Sequence, residues 1–175
     1  LKAFRDNKVR DFHFTGTTGY GYDDSGRDTL ESVYADVFGA ERCLVRGKIV
    51  SGTHAIAISL FGILRPGDEL MYITGEPYDT LASIVDGGKE DTGSLKDYNI
   101  DYQHIDLLED GSVDFDTVKE KMSEKTRVIG IQRSKGYSSR PSFTIEQIDE
   151  MIRNVRKMRE DVIIFVDNCY GEFVE

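Results

Sequence analysis

The sequence predicts an α/β fold with a mainly parallel sheet flanked by helices. Helical periodicity alternates with short β-branched or apolar runs from residue 28 to the end, the rhythm of βα units. One run, 162–166 (Val-Ile-Ile-Phe-Val), is uniformly apolar, as in a strand buried on both faces. Turn signals such as Arg65-Pro66-Gly67-Asp68 and Asp110-Gly111 punctuate the runs.

Residues 1–27, polar and glycine-rich with Phe12, Phe14, Tyr20 and Tyr22 interleaved, read as an irregular arm. A helix follows, capped by Asp28, carrying Leu30, Val33, Tyr34 and Val37 at helical spacing and closed by Gly39. A short strand is expected at 43–46 and an apolar helix over 51–64. A strand at 69–73 and a helix over 78–85 come next. The second half predicts a strand at 102–106, an amphipathic helix over 114–122 (Phe115, Val118, Met122) and a strand at 126–132. Thr144-Ile145-Glu146-Gln147 fits a capping box opening a helix to about residue 159. The chain ends nine residues past the 162–166 strand, which would leave an apolar edge bare. That predicts that these residues belong to a longer protein.

Composition narrows the function classes. With 22 Lys and Arg against 32 Asp and Glu, the net charge of −10 would repel a phosphate backbone, so no nucleic-acid partner is expected. No apolar run reaches the roughly 20 residues that span a bilayer, so no membrane role is expected. Cys43 and Cys169, far apart and in apolar company, read as reduced buried thiols of a cytoplasmic protein rather than a disulfide framework. His13, His54 and His104 lack metal-ligand spacing, and no metal is predicted. The stretch 21–28 has P-loop glycine spacing without the Lys and Ser/Thr that must follow.

In open α/β sheets ligands bind at the carboxyl ends of strands. Ser51-Gly52-Thr53 opens an apolar helix, where free N–H groups suit a phosphate; a plain N-cap reads equally well. Tyr78, after the 69–73 strand, could stack on a flat ligand or plug its loop. Residues 133–141 carry three cations and four hydroxyls, either an anion-facing loop or a solvated one. Asp167-Asn168 closes the most apolar strand, where a carboxylate needs a cation or hydrogen bonds, so Asp167 is a site candidate.

Together, residues 19–31, 49–56 and 132–137 resemble the pyridoxal-phosphate (PLP) enzymes of the aspartate-aminotransferase fold, in the group of cystathionine and methionine γ-lyases. More narrowly, they resemble the methionine γ-lyase-related branch called aluminium resistance proteins. The resemblance implies the large domain of PLP fold type I, incomplete at its C-terminus. It also implies pyridoxal 5'-phosphate as cofactor and a sulfur-containing amino acid as substrate, cleaved at a C–S bond. Gly52 and Thr53 would offer N–H groups to the phosphate, with the Ser51 and Thr53 hydroxyls nearby. Tyr78 would stack on the pyridine ring, Asp167 would pair with its nitrogen, and Asn168 completes the family's Asp-Asn pair. Tyr22, with Arg27, would reach the phosphate of a neighbouring subunit, although Asp24 stands where the related lyases carry arginine. The Schiff-base lysine and the small domain of such enzymes lie beyond Glu175, so the chain by itself would be inactive.

The domain reading is therefore 1–40 as arm and first helix, making oligomer contacts, and 41–175 as a partial PLP-binding domain. A homodimer or homotetramer is expected, because the arm's aromatic residues would otherwise be exposed. Two alternatives stay open: another PLP fold-type-I reaction (aminotransferase, aldolase or decarboxylase), or a non-catalytic α/β binding module.

Overall fold

The computed structural model describes all residues except Gly21, Asp23, 88–92 and Glu175. The chain divides into two compact units, Leu1–Ser51 and Gly52–Glu175.

In the first unit the arm is more ordered than an irregular segment. It contains helix α1 (Lys2–Asp6) and a 3₁₀ turn, Asp11–Phe14. Helix α2 spans Ser25–Phe38 and begins one turn earlier than expected. Its cap is Asp24, not Asp28: the Asp24 carboxylate accepts the Arg27 N–H at 3.2 Å and the Thr17 hydroxyl at 3.3 Å. Asp28 instead falls in the first turn, where a negative charge favours the helix dipole. Gly39 ends α2 at φ 63°, the left-handed conformation glycine adopts without strain. The strand expected at 43–46 is absent, and those residues are irregular. Their backbone is held by a side chain instead of a ladder: Glu31 accepts the Val45 N–H at 2.9 Å and pairs with Arg46.

The second unit is a three-layer α/β sandwich. Its elements are α3 (Gly52–Ile63), β1 (Glu69–Tyr72), α4 (Asp79–Val85), β2 (Asp101–His104), α5 (Phe115–Lys121), β3 (Thr126–Gln132), α6 (Ile145–Met158) and β4 (Ile163–Asp167). The four strands are parallel in the order β2-β1-β3-β4. Period-two alternation sorts β1 between the layers. Leu70 and Tyr72 join Ile56 and Leu60 of α3 and Leu81 and Val85 of α4, while Met71 joins Val118 of α5 and Ile148, Met151 and Val155 of α6. The layers follow from connection direction. The chain steps one way from β1 to β2 and the other way from β2 through β3 to β4. Right-handed crossovers then put α4 on one face and α5 and α6 on the other. The reversal makes the β1/β3 boundary the topological switch point.

The capping box of α6 forms as expected, with Thr144 accepting the Gln147 N–H at 3.3 Å and Gln147 reciprocating at 2.9 Å. The apolar run at 162–166 is not buried on both faces. It forms the edge strand β4, only half-buried over Ile163–Val166, because β3 pairs with it on one side and no described strand pairs on the other.

Candidate functional site

The carboxyl ends of β1 and β3 flank a cleft of about 560 Å³ at the switch point, lined by residues 74–79 and 135–140 among others. After β1 the chain turns at Gly75 (φ 86°), whose N–H donates to Ile105 O at 3.0 Å. That turn delivers Tyr78, the residue preceding α4. Buried Gln132, the last residue of β3, fixes it: its side-chain oxygen accepts the Tyr78 N–H at 3.1 Å and its amide nitrogen donates to Ser134 O at 3.0 Å. The Gln132 backbone N–H donates to the Thr74 hydroxyl at 3.0 Å, tying the two strand ends together.

Four predicted residues converge in this unit. Gly52 and Thr53 open α3, a twelve-residue helix whose first-turn N–H groups have no intrahelical acceptor. The Thr53 and Tyr78 hydroxyls lie 3.4 Å apart. A Cβ at Gly52 would stand 4.0 Å from Cys169 Sγ, so the helix start lies beside the segment that follows β4. Asp167, at the end of β4, is 7% exposed and accepts the Cys169 N–H at 3.0 Å. Burial pushes its pKa above the ordinary carboxylate range, the Cys169 N–H opposes that, and Glu172 adds to the rise. Among the described residues no cation pairs with Asp167.

The side-chain oxygen of Asn168 accepts from Arg133 at 3.0 Å. Ser51 closes the first unit immediately before α3. Tyr22 is exposed, and the Arg27 guanidinium pairs with Asp24 at 2.9 Å, both within the first unit.

The loop 133–141 departs from the anion-facing reading. Arg133 is buried, donating to Phe143 O, Gly171 O and Val174 O as well as to Asn168. Arg140 donates to Gln132 O, Ser134 O and Pro141 O and lies over the Phe143 ring at 4.4 Å. Two of its three cations therefore satisfy main-chain carbonyls, leaving Lys135 exposed at the cleft. Cys43 and Cys169 are free thiols, half-buried rather than buried.

The donor set fits pyridoxal 5'-phosphate: the Gly52 and Thr53 N–H groups at a helix start for a phosphate, an aromatic ring at the switch point, and a buried carboxyl without a cation among the described residues for a protonated ring nitrogen. The family model described as methionine gamma-lyase matches residues 1–175. The chain belongs to the methionine gamma-lyase family. YnbB of Bacillus subtilis, an uncharacterized protein, is 64% identical over 176 residues, covering 100% of this chain and 42% of YnbB. A solved structure from Listeria monocytogenes, provisionally designated a cystathionine beta-lyase involved in aluminum resistance, is 64% identical with TM-score 0.97. It covers 100% of this chain and 44% of that one. A carbon-sulfur lyase involved in aluminum resistance from Clostridium novyi NT is 44% identical with TM-score 0.92, over 99% of this chain and 41% of that one. The chain thus spans less than half the length of these relatives.

The fold class is borne out as well. An O-acetylhomoserine (thiol)-lyase, so designated provisionally, from Campylobacter jejuni shares the fold at TM-score 0.59 and 18% identity, over 82% of this chain and 30% of that one. Its structure holds a pyridoxyl-lysine monophosphate. Among the described residues of this methionine gamma-lyase family member, no helix is long and apolar enough to cross a membrane. Gln132, which fixes Tyr78, is marked by no local pattern in the sequence. Gly130, inside the β-branched run 126–132, is a strand glycine of the kind that marks a close approach.

Proposed function

We propose that this chain forms the cofactor cradle of a cytoplasmic, pyridoxal-phosphate-dependent carbon–sulfur lyase acting on a sulfur-containing amino acid. The observation that carries the reading is the convergence of Gly52, Thr53, Tyr78 and Asp167 at the carboxyl end of one parallel sheet. Membership of the methionine gamma-lyase family and the lyase designations of its relatives support it.

When bound, pyridoxal phosphate supplies an electron sink for negative charge developing on the substrate. The protein's residues make that possible by binding and orientation. The Gly52 and Thr53 N–H groups at the α3 terminus hold the phosphate, with the Ser51 hydroxyl in support. Tyr78, fixed by Gln132, stacks on the ring. Asp167 accepts the proton-bearing ring nitrogen and keeps it charged, in a buried setting where such a pair is strong. Asn168, held by Arg133, fixes the turn after β4. The Schiff-base lysine and the arginine for the substrate carboxylate are assigned to sequence beyond this chain. Tyr22 and Arg27 are assigned to a neighbouring subunit's phosphate in a homodimer or homotetramer.

The test is the intact mass of the full-length protein after incubation with pyridoxal phosphate and reduction with borohydride. One phosphopyridoxyl adduct per chain is expected, followed in unreduced protein by thiol release from cystathionine or methionine. Absence of the adduct removes the cofactor; an adduct without thiol release assigns another pyridoxal-phosphate reaction.

A further inference from the structure

Tyr72 is the last residue of β1, and its side chain is fully buried in the layer between the sheet and α3 and α4. Its hydroxyl has no hydrogen-bond partner among the described residues. Native structures pair nearly all such groups, so an orphan deserves a physical account. The direction of the ring supplies one. A Cβ at Gly130 would lie 2.8–2.9 Å from Cε2, Cδ2 and Cζ of Tyr72, so the ring crosses β3 with its hydroxyl-bearing carbon over Gly130. Only glycine leaves that passage open.

Strand register shows what lies ahead. Tyr72 pairs with Gly130, Gly130 with Phe165, and Gln132 with Asp167. Paired residues in a parallel sheet share a face, and so do residues two apart. Asp167 therefore lies on the face the Tyr72 ring crosses, one row nearer the cleft. We propose that Tyr72 is a positioning residue for Asp167: its hydroxyl donates to a bound water that in turn donates to the buried side of that carboxylate and favours its ionised form.

The charge relations agree with this geometry. Burial first, then Asp167, Tyr102 and Tyr78, push the Tyr72 pKa far above the ordinary phenol value, so its hydroxyl stays a donor. Among the described residues, the Cys169 N–H favours the ionised form of Asp167 and Glu172 opposes it, while the Cys169 thiol and the Tyr72 hydroxyl both feel its charge. Tyr72 adds a second donor on the side away from the cleft, leaving the open side for a cationic ligand. The functional consequence rests on the pyridoxal-phosphate reading; the link between the two side chains does not.

The test uses the full-length protein, Y72F, D167N and the double variant, with thermal unfolding followed from acid to neutral pH without cofactor. Because burial raises the Asp167 pKa above its unfolded value, its stabilising contribution is present in acid and lost as pH rises through the folded pKa. The difference between wild type and D167N isolates that transition. Loss of a donor to the carboxylate raises the pKa, so Y72F should move the midpoint up by about one pH unit, a tenfold change in proton affinity. Replacing Tyr72 with 3,5-difluorotyrosine, a stronger donor with a slightly wider ring edge, should move it down, and serves if Y72F does not fold. Pyridoxal-phosphate binding followed by absorbance should fail at a pH higher by the same amount in Y72F. An unmoved midpoint in either Tyr72 variant, or a Y72F effect undiminished in the D167N background, overturns the proposal. A moved midpoint in a protein that takes up no pyridoxal phosphate keeps the Tyr72–Asp167 link and removes the cofactor reading.

Discussion

Asp167 combines burial with a single backbone donor and no cation among the described residues, an arrangement that costs stability while empty of a partner. A protonated ring nitrogen would relieve that cost, which is why the proposed cofactor role falls to this residue rather than to the exposed acids. D167N should therefore weaken pyridoxal-phosphate binding by about 10- to 100-fold, the worth of one hydrogen bond to a charged group at ~1.5–3 kcal/mol. Absorbance titration of apo protein measures it directly. Binding should also weaken on acidification sooner than an ordinary carboxylate would allow, because the pKa of Asp167 is raised and its ionised form is the one that binds. Tyr78 contributes through its ring: Y78A should lower cofactor affinity roughly fivefold, for about 1 kcal/mol of aromatic contact, and Y78F should leave it nearly unchanged. Equal losses in Y78A and Y78F would assign the role to the hydroxyl beside Thr53 instead.

Among the elements, β3 packs closely against a β1 side chain. Its Gly130 admits the Tyr72 ring, and G130A would overpack that contact, lowering stability by about 1–3 kcal/mol in urea unfolding. The cap of α6 is separable from the site: T144A should cost about 1 kcal/mol and leave cofactor affinity unchanged. These elements also mark where sequence is legible. Strand 126–132 and the Thr144 box were readable because β-branched runs and reciprocal caps are local signals. The missing strand at 43–46 was not, since strand propensity says nothing about a partner, and here a Glu31 carboxylate takes the place of one. Residues 162–166 gave the right element and the wrong burial, because an apolar run does not reveal whether a strand is central or at an edge. Asp24 and Asp28 stand one helical turn apart, and Asp24 is the cap that also accepts the Thr17 hydroxyl from the preceding loop. In the site, Gly52, Thr53, Tyr78 and Asp167 were each visible at the end of a predicted element. Tyr72 and Gln132 emerge only from cross-strand register, which no local pattern encodes.

At the scale of the whole molecule, Gly52, Thr53, Tyr78 and Asp167 fall in one unit and the arm in the other, and the arm carries unburied apolar surface. Phe12 is 54% exposed, Phe14 76%, Tyr20 82% and Tyr22 83%. Four large aromatics so close in sequence favour a protein contact over a solvated surface. On the proposed reading that contact is with a second copy of the chain, and Tyr22 reaches the neighbour's phosphate. The full-length protein should sediment as a dimer or tetramer. Replacing Phe12 and Phe14 together with serine should weaken association and cofactor binding in parallel. Y22F should lower cofactor affinity at unchanged oligomeric state, since it removes one hydroxyl and keeps the apolar ring. A monomer whose cofactor affinity matches that of the wild type would separate the arm from the site and return the phosphate wholly to Gly52 and Thr53.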